Sequence, residues 1–583
     1  MIDTELPTAA VPHRRRRGAV AGLVATAVAL GTAELVRALN RQLSSPVIDV
    51  GARFIEATPR WLKDFAISTF GTNDKVALIV GIAIVLAIYA VIIGILATRR
   101  RWMGLVGVAL FVAVGVFASV KDGPWWAALP TVVGGVAGGA ALWFLSGLAV
   151  APSAPAVAES PPSAAPSGTT AAAESADTAE PARRPMTESE RLMRTDRSGE
   201  PEVGPADVAA TASGATSEGT DEPVAAGLGR RSFLVAGAAL ATFALVAGGT
   251  GRWLSDRFDV AAARARIKLP GARKPLAQVP AGVELDVERI TPFYTKNSEF
   301  YRIDTALVAP QVPVETWSLK ITGMVDKDLE FTYDELLDRD LVEADITLTC
   351  VSNEVGGQLA GNARWLGVPL AELLAEAGVK KGADQIVGRS TDGFTTGFPV
   401  PYGVEAERGA LVAFGMNGEP LPVTHGFPAR LVVPGLYGSV SATKWLTEIE
   451  LTTFDKFDAY WAQREWSVEA PIKTFSRIDS PGPLQKIKQG RRGIAGVAWA
   501  QTVGIDKVEV RVDGGEWMPA TLGEELNDVT WRQWVLDYEF TESGSHSVEC
   551  RATDRTGAIQ TEDRSEPFPD GATGWHSVVT LVE

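Results

Sequence analysis

Long apolar runs in the N-terminal part of the chain predict helices that cross a membrane. They extend over Gly18 to Ala33, Val76 to Ala97, Trp102 to Val120 and Trp125 to Val150. Each run, with its flanks, is about as long as an α-helix must be to span a hydrocarbon layer. Basic clusters at Arg14–Arg17 and Arg99–Arg101 place the start of the first run and the end of the second in the cytoplasm. We therefore predict a cytoplasmic tail over 1–17 and a four-span region over 18–150.

The interiors of the second, third and fourth runs contain no Asp, Glu, Lys, Arg or His. This composition disfavours a proton or ion path, and it provides no histidine pair for haem. We expect the four spans to be an anchor or a partner-docking element. Between the first two runs, residues 45–70 mix apolar and basic side chains, which is compatible with helices lying on the outer leaflet or with a polar loop.

Residues 151–229 are rich in Ala, Pro, Ser, Thr, Gly and Glu, which predicts a disordered cytoplasmic linker. A further apolar run over 230–252 begins with Arg230-Arg231-Ser232-Phe233-Leu234. This run is either a plain fifth span or a twin-arginine signal inside the chain, and the Arg-Arg-x-Phe-Leu pattern favours the signal. In both cases a fifth crossing places the C-terminal half, beginning with a linker over 253–285, outside the cytoplasm.

Alternating and turn-forming residues after position 285 predict a domain of mixed strands and helices. Ile346, Leu348 and Cys350 alternate with threonines, so we expect a strand that ends at Cys350. A polar loop with Gly356-Gly357 follows, and Pro369 and Gly378 suit the start and the end of a short helix. Further local signals are a strand over Trp317–Gly323, a helix capped by Thr332 and a hairpin at Asn417-Gly418.

Short alternating segments from residue 470 onward predict an all-β region. They extend over Gly493–Trp499, Lys507–Val512, Trp517–Leu522, Thr530–Phe540, Ser545–Thr553 and His576–Val582. Cys550 shares a strand face with Val548, so we expect a buried free thiol there.

Composition narrows the functional classes. A net charge of -15 and a pI near 5.0 argue against nucleic acid as a partner, and a mean hydropathy of +0.08 agrees with membrane segments. The chain has two cysteines and four histidines, and the exported half lacks Cys-x-x-Cys-His, a four-cysteine cluster pattern and a dinucleotide glycine fingerprint. A redox role would therefore require a separate electron-transfer partner or a quinone.

Two stretches carry candidate chemistry. Cys350, at a strand end beside a polar loop, suits a thiolate ligand for a metal or cofactor, although a disulfide with Cys550 is the simpler alternative for an exported domain. His425, Arg430 and Lys444 lie on a stretch whose glycines expose the backbone, as in phosphate sites, although scattered surface cations would give the same composition.

Four motifs in order resemble the sulfite oxidase family of molybdopterin-dependent oxidoreductases. They are LTCVSNEVGG around Cys350, HGFPAR at His425–Arg430, VPG at Val433–Gly435 and TKWL at Thr443–Leu446. The resemblance extends from about Glu288 to the C-terminus, and the whole architecture is similar to membrane-bound actinobacterial members. It implies a multi-domain chain: an α-helical membrane region of about five spans, an α+β sulfite-oxidase-type molybdopterin domain over 286–455, and an all-β immunoglobulin-like dimerisation sandwich over 466–583.

The resemblance also implies roles for individual residues. Cys350 would be the one protein thiolate on molybdenum, which one pterin would also hold through its dithiolene. The residues that would bind the pterin and its phosphate are Asn297, Tyr301, Arg302, Thr391, Asp392, His425, Arg430, Thr443 and Lys444.

The sequence departs from the family pattern at two positions. Where sulfite oxidases have Cys-Ala-Gly-Asn-Arg, this chain has Cys-Val-Ser-Asn-Glu, and a carboxylate at Glu354 disfavours sulfite as substrate. Trp466 aligns with the family's active-site tyrosine, and Tyr437 is the candidate replacement, unless it only packs.

The sequence thus favours a membrane-anchored, extracytoplasmic oxidoreductase that performs two-electron oxygen-atom transfer on a small substrate. The expected partners are that substrate, an electron carrier or quinone, membrane lipid and a second copy bound through the C-terminal β domain. The alternative is a non-catalytic envelope protein in which the same fold serves as a binding scaffold.

Overall fold

The computed structural model describes residues 11–40, 43–59, 62, 69, 74–121, 124–150, 230–256 and 259–583. The linker predicted over 151–229 lies outside the described residues. So do residues 1–10 of the predicted tail and most of residues 60–73.

Six helices form the N-terminal part of the described chain, and we call them the helix bundle. They are α1 (Val11–Arg37), α2 (Pro46–Ala57), α3 (Asp74–Arg99), α4 (Arg101–Val120), α5 (Leu129–Val150) and α6 (Arg230–Asp256). All but α2 are long and apolar enough to cross a membrane. Of the two alternatives for residues 45–70, a helix or a polar loop, α2 shows a helix over Pro46–Ala57, and most of the second half of that segment is not described.

Helix α1 lies at the centre of the bundle because glycines let its neighbours approach closely. A Cβ atom on Gly22 would lie 1.8 Å from the carbonyl oxygen of Ala90 in α3. One on Gly138 of α5 would lie 2.7 Å from the Cβ of Ala29. Small residues of this kind allow the backbone-level packing that holds membrane helices together.

Arg14 and Arg17 of α1 lie at the end of the bundle where α3 finishes. The Arg14 guanidinium donates to the carbonyl of Thr98 near the end of α3, and Arg17 lies 6.0 Å from the Phe233 ring at the start of α6. The helices α1 and α6 therefore begin where α3 ends.

A central domain follows, with two sheets and short helices. Its elements are α7 (Ala261–Arg264), β1 (Ser318–Gly323), β2 (Leu329–Thr332), α8 (Tyr333–Leu337), β3 (Val342–Thr349), β4 (Ala360–Pro369), α9 (Leu370–Ala377), β5 (Gln385–Ser390), β6 (Thr395–Pro399), α10 (Pro401–Val404), β7 (Leu411–Met416), β8 (Glu419–Pro420), β9 (Arg430–Val432), α11 (Gly438–Ser441) and β10 (Leu446–Thr452). One sheet has the order β2-β1-β10-β5-β6 with β1 and β10 parallel, and the other has β3-β4-β7-β8 with β9 beside β7.

The local predictions for this domain are confirmed. β3 ends immediately before Cys350, and α9 ends at Gly378 in the left-handed conformation with φ 72°. The cap of α8 is a full capping box, in which Thr332 and Glu335 each bind the other's backbone N–H. Asn417 and Gly418 turn the β7–β8 hairpin with positive φ angles.

The chain ends in two packed sheets, which we call the C-terminal sandwich. Its strands are β11 (Phe475–Ser480), β12 (Lys486–Ile487), β13 (Gly490–Trp499), β14 (Ile505–Val512), β15 (Met518–Pro519), β16 (Thr521–Leu522), β17 (Arg532–Phe540), β18 (Gly544–Asp554) and β19 (His576–Val582). The sheets have the orders β11-β13-β17-β16 and β12-β19-β18-β14-β15. Cys550 is buried between them and is a free thiol, as predicted, so it forms no disulfide with Cys350.

The sandwich covers the free edge of β3. The Thr347 hydroxyl accepts a hydrogen bond from the backbone N–H of Trp531 at 2.9 Å. The Thr347 backbone N–H donates to the carbonyl of Val529 at 3.1 Å. The Trp531 ring N–H reaches the carbonyl of Phe293 at 2.9 Å. Central domain and sandwich therefore share one continuous core.

The segment predicted as a linker over 253–285 is packed along its second half. α6 extends to Asp256, and residues 273–285 then bind both domains through their backbone. The Arg273 N–H donates to the carbonyl of Leu341 at 2.9 Å, and the Leu285 N–H donates to Gln533 at 2.6 Å.

Candidate functional site

Cys350 begins the loop between β3 and β4 and is 8% exposed. Its sulfur lies 3.0 Å from the Ser352 hydroxyl, and its N–H donates to the carbonyl of Leu359 at 2.9 Å. The buried Asn353 side chain accepts from the N–H of Leu359 at 2.8 Å and so closes the loop. Burial raises the pKa of the Cys350 thiol, and the contact with Ser352 works in the opposite direction.

The C-terminal sandwich holds the far side of this loop. Arg477, whose side chain is 2% exposed, donates to the carbonyl of Gly357 at 2.9 Å and pairs with Asp479 at 2.7 Å. The His576 ring fills the space beside Gly356, where an added Cβ would lie 2.2 Å from its Nε2 atom. Gly356 also has a φ of 81°, so both space and conformation require glycine there.

Arg430 is a buried cation with no counterion among the residues that the structure describes. Its guanidinium donates to the carbonyl of His425 at 3.2 Å and lies 5.1 Å from the Trp365 ring. Arg430 is only 5% exposed, and burial lowers the pKa of its guanidinium to about 10. A buried charge without an opposite charge is costly, so this position favours an anionic ligand.

His425 lies beside Arg430 and is neutral near pH 7. Burial, with the charge on Arg430, lowers the pKa of His425 to about 4. Its Nε2 atom lies 3.0 Å from the carbonyl of Asn297. Because a carbonyl can only accept, Nε2 carries the proton and Nδ1 remains an acceptor.

Gly426 brings the cationic side chains together. An added Cβ on this residue would lie 3.0 Å from the Cβ of Lys444 and 3.1 Å from the Cβ of Arg430. Its φ of 110° lets the chain reverse after the short 3-10 turn Val423–His425. The HGFPAR and TKWL motifs therefore meet at one point.

Tyr301 links this cationic group to Cys350. Its ring stacks on Phe300 at 5.2 Å, and its hydroxyl lies near the end of β3 and the start of α11, 3.7 Å from the position of a Cβ on Gly438. Burial and the negative charge of Cys350 raise the pKa of Tyr301, and Arg430 works in the opposite direction. These effects place Cys350, Tyr301 and Arg430 in one electrostatic neighbourhood.

Lys444 and Arg302 share a buried carboxylate. Lys444 pairs with Asp304 and donates to the carbonyl of Ile303 at 3.1 Å, while the Arg302 Nε donates to Asp304 at 2.5 Å. Burial lowers the pKa of Lys444 well below its usual value, and Arg302 and Lys75 add to this effect.

Four other predicted binding residues are held by protein contacts. The Asn297 side-chain amide donates to Met416 and Glu419 and accepts from Asn417. The contact of Asn297 with His425 is therefore made by its backbone carbonyl and not by its side chain. Thr443 is buried against Thr396 at 2.7 Å. Thr391 and Asp392 form the exposed turn between β5 and β6, and the Thr391 hydroxyl donates to the carbonyl of Trp445 at 3.1 Å. Their roles in cofactor binding remain predictions.

Tyr437 is buried at the start of α11, within the electrostatic reach of Cys350. Its hydroxyl accepts from the Lys473 N–H at 3.5 Å, and burial raises the pKa of Tyr437 to about 12. The hydroxyl therefore keeps a proton that it can donate. Trp466 instead packs edge-on against Trp461 and Phe568, with ring centroids 5.9 and 5.4 Å away.

Glu354 is exposed at the outer side of the Cys350 loop. With Val355 it lines a small open pocket together with Arg564, Ser565 and Glu566 of the sandwich. Sequence and fold thus place two carboxylates and one guanidinium beside the loop.

A family model for the oxidoreductase molybdopterin binding domain matches residues 306–461, which include Cys350, Arg430 and Lys444. The chain is 27% identical over 362 residues to mitochondrial sulfite oxidase of Macaca fascicularis, a match that covers 53% of this chain and 66% of the relative. It is 27% identical over 318 residues to the NADH nitrate reductase of Solanum lycopersicum, covering 43% of this chain and 34% of the relative. Residues 306–461 are thus an oxidoreductase molybdopterin binding domain, and the chain is similar to sulfite oxidases and nitrate reductases.

The chain spans less than two thirds of the length of these two relatives. Among solved structures, the sulfane dehydrogenase SoxCD of Paracoccus pantotrophus aligns with a TM-score of 0.44 and 23% identity, over 55% of this chain and 92% of that one.

The residues present fit the family's cofactor, molybdenum held by molybdopterin. An anionic pterin phosphate suits the buried guanidinium of Arg430, and a soft metal suits a single thiolate at Cys350. The described residues contain no cluster of three or more His, Cys, Asp or Glu side chains that could hold a metal ion.

Sequence reasoning missed the residues that support this site from a distance. Arg477, Gln501 and His576 belong to the sandwich, and no local pattern marks them. Asp304 lies two residues after Arg302, and a carboxylate so close to a predicted cofactor-binding cation was a signal in the sequence.

Proposed function

We propose that this protein is a membrane-anchored, extracytoplasmic oxidoreductase that performs two-electron oxygen-atom transfer on a small substrate. The observation that carries the proposal is the convergence of Cys350, Tyr301 and Arg430, with Arg430 buried and without a counterion in the described chain. Such a buried cation is energetically costly unless an anion completes the site. When bound, the cofactor supplies the two-electron redox chemistry.

The protein's own residues position and shield that chemistry. Arg430 and Lys444 would bind the phosphate, and His425 would offer a neutral acceptor at Nδ1. Cys350 would bind the metal as a thiolate, since a metal displaces the thiol proton. Tyr437 would donate a hydrogen bond to an oxygen atom of the substrate or product from a hydroxyl that stays protonated at neutral pH.

Charge beside the loop supports a substrate other than sulfite. Glu354 and Glu566 line the pocket together with the Arg564 guanidinium. Two carboxylates against one cation leave the pocket negatively charged, which disfavours a dianion such as sulfite. Electrons would be exchanged with a separate carrier or a quinone. A second copy bound through an immunoglobulin-like C-terminal sandwich belongs to the same proposal.

The arrangement of the bundle supports the orientation. Arg14 and Arg17 lie at the end where α3 finishes, whereas Lys75 at its start contacts the central domain. Positive residues remain in the cytoplasm, so the central domain would be outside. A twin-arginine signal at Arg230-Arg231 predicts that replacing both by lysine traps the folded protein in the cytoplasm, which protease treatment of spheroplasts would reveal.

Metal and pterin analysis of the purified full chain tests the proposal. The protein from a host that makes the cofactor should contain one molybdenum and one pterin per chain, and Cys350→Ala should lose the metal. Cys550→Ala, at the other buried thiol, is the matched control and should retain it. Equal molybdenum in wild type and Cys350→Ala, or none in either, would instead favour the binding scaffold.

A substrate screen follows from the same proposal. Sulfoxides, sulfite and related oxyanions should be assayed with artificial electron donors and acceptors. Turnover of a neutral sulfoxide with little turnover of sulfite is the expected result.

A further inference from the structure

A single buried carboxylate connects the helix bundle to the cationic site. The Asp304 side chain is fully buried, pairs with Lys444 and accepts from the Arg302 Nε at 2.5 Å. The Lys75 ammonium of α3 lies 4.0 Å from the same carboxylate. Three cations from three different segments therefore surround Asp304.

Lys75 also holds the backbone next to Asp304. Its ammonium donates to the carbonyl of Ala306 at 2.7 Å. On the neighbouring helix α2, an added Cβ on Gly51 would lie 3.0 Å from the Leu307 side chain. Residues 304–307 thus lie against the start of α3 and the middle of α2, next to residues predicted to bind the cofactor.

Lys75, Arg302 and Lys444 compete for the one Asp304 carboxylate, and the burial of Lys444 makes the proximity of these cations unfavourable. If Lys75 were absent, Asp304 would neutralise a larger part of the charge on Arg302 and Lys444, and their attraction for a phosphate would weaken.

We propose that Lys75 and Asp304 are positioning residues through which docking onto the helix bundle controls how tightly the central domain holds its cofactor. The inference rests on the proposed function, because that function assigns the pterin phosphate to Lys444 and Arg430, and Arg302 is a further predicted cofactor-binding residue. The helix bundle then does more than anchor the chain. Through Lys75 it sets how much of the negative charge of Asp304 is left to neutralise Arg302 and Lys444.

Cofactor release from the detergent-solubilised full chain tests the inference. Wild type, Lys75→Gln, Lys75→Arg and the control Lys296→Gln should be purified from a cofactor-competent host. Lys296 is an exposed residue of the same domain that pairs only with Glu299 in the described chain. Molybdenum and pterin remaining on the protein are measured over time after dilution, together with hydrogen exchange of residues 301–307.

Lys75→Gln should release pterin roughly five-fold faster, as expected for the loss of one partly buried charged contact. It should also speed exchange in residues 301–307, while Lys75→Arg restores both values and Lys296→Gln changes neither. Equal release and equal exchange in all four loaded proteins would overturn the inference alone. A wild type that contains neither molybdenum nor pterin would overturn the proposed function, and this inference with it.

Discussion

At the scale of single residues, two buried arginines of similar exposure have opposite electrostatic surroundings. Arg477 pairs with Asp479 and binds Gly357 and Thr291, so its charge is fully used inside the protein. Arg430 has carbonyls and the Trp365 ring as its partners in the described chain, and no carboxylate. The first is a structural residue, and the proposed function assigns the second to an anionic ligand.

This difference predicts opposite results for the same substitution. Arg430→Met should leave the stability of the cofactor-free protein unchanged or higher, because it removes an uncompensated buried charge. The same variant should lose most of its bound pterin. Arg477→Met should destabilise the protein by roughly 3–5 kcal/mol, because it leaves Asp479 buried and unpaired. Chemical denaturation of both apoproteins checks the pair, and a large loss of stability in Arg430→Met would contradict our assignment.

The histidines predict how stability depends on pH. His425 and His576 both have a pKa of about 4 in the folded protein, mainly because of burial, against about 6.5 when unfolded. The unfolded chain therefore binds more protons between these values. Stability should be complete above about pH 6.5 and should fall as the pH drops toward 4, by roughly 3 kcal/mol for each histidine.

Thermal unfolding of the cofactor-free protein in detergent, followed by tryptophan fluorescence, measures this slope. His576→Gln should be less stable at pH 7 but show a shallower dependence on pH. An unchanged slope in His576→Gln would show that this histidine does not contribute to the acid sensitivity.

At the scale of elements, the position of each helix in the bundle depends on where its glycines lie. Gly22 and Gly138 are at contact points of α1 with α3 and α5, whereas Gly81 of α3 has no atom within 4 Å of an added Cβ. Glycine in a helix costs about 1 kcal/mol relative to alanine. At Gly22 and Gly138 the neighbouring helix leaves no room for a side chain, so glycine is required at these two positions.

Gly22→Ala should therefore destabilise the bundle, and Gly81→Ala should be neutral or slightly stabilising. We expect a loss of roughly 2 kcal/mol for Gly22→Ala, since a Cβ so close to the Ala90 carbonyl forces α1 and α3 apart. Resistance to thermal aggregation in detergent gives the comparison. Equal behaviour of the two variants would mean that α1 and α3 do not pack as described.

At the scale of the whole molecule, the sandwich fixes the geometry of a site that lies mainly in the central domain. The buried Gln501 side chain donates to the carbonyl of Thr347, three residues before Cys350, and accepts from the Gly435 N–H at 2.8 Å. One amide thus connects the strand that carries the thiol to the VPG loop. Covering the edge of β3 also prevents it from pairing with another chain.

Gln501→Ala should loosen both connections at once. It leaves two buried backbone groups without partners, so we expect a loss of roughly 2–3 kcal/mol and faster hydrogen exchange at residues 346–350 and 433–438. Gln489→Ala, at an exposed glutamine of the same sandwich, should change stability by less than about 0.5 kcal/mol. Unchanged exchange at both segments in Gln501→Ala would show that the sandwich does not hold the site.

Much of the fold followed from local patterns. Alternation predicted that β3 ends at Cys350, and turn and cap residues predicted the Asn417-Gly418 hairpin and the helix that ends at Gly378. These features depend on neighbours in sequence, so a short window contains their cause. The family resemblance added the cationic motifs, whose convergence at Gly426 requires the folded chain.

The sequence by itself determined the elements, the apolar spans, the single candidate thiolate and the motifs that identify the family. Only the tertiary structure decided that Arg430 is buried without a counterion, that the Asn297 amide is used by a hairpin, and that Lys75 reaches Asp304. The residue type in a sequence does not show whether a charged side chain lies on the surface or in the core. Their energies differ because burial removes water, and burial depends on segments that are distant along the chain.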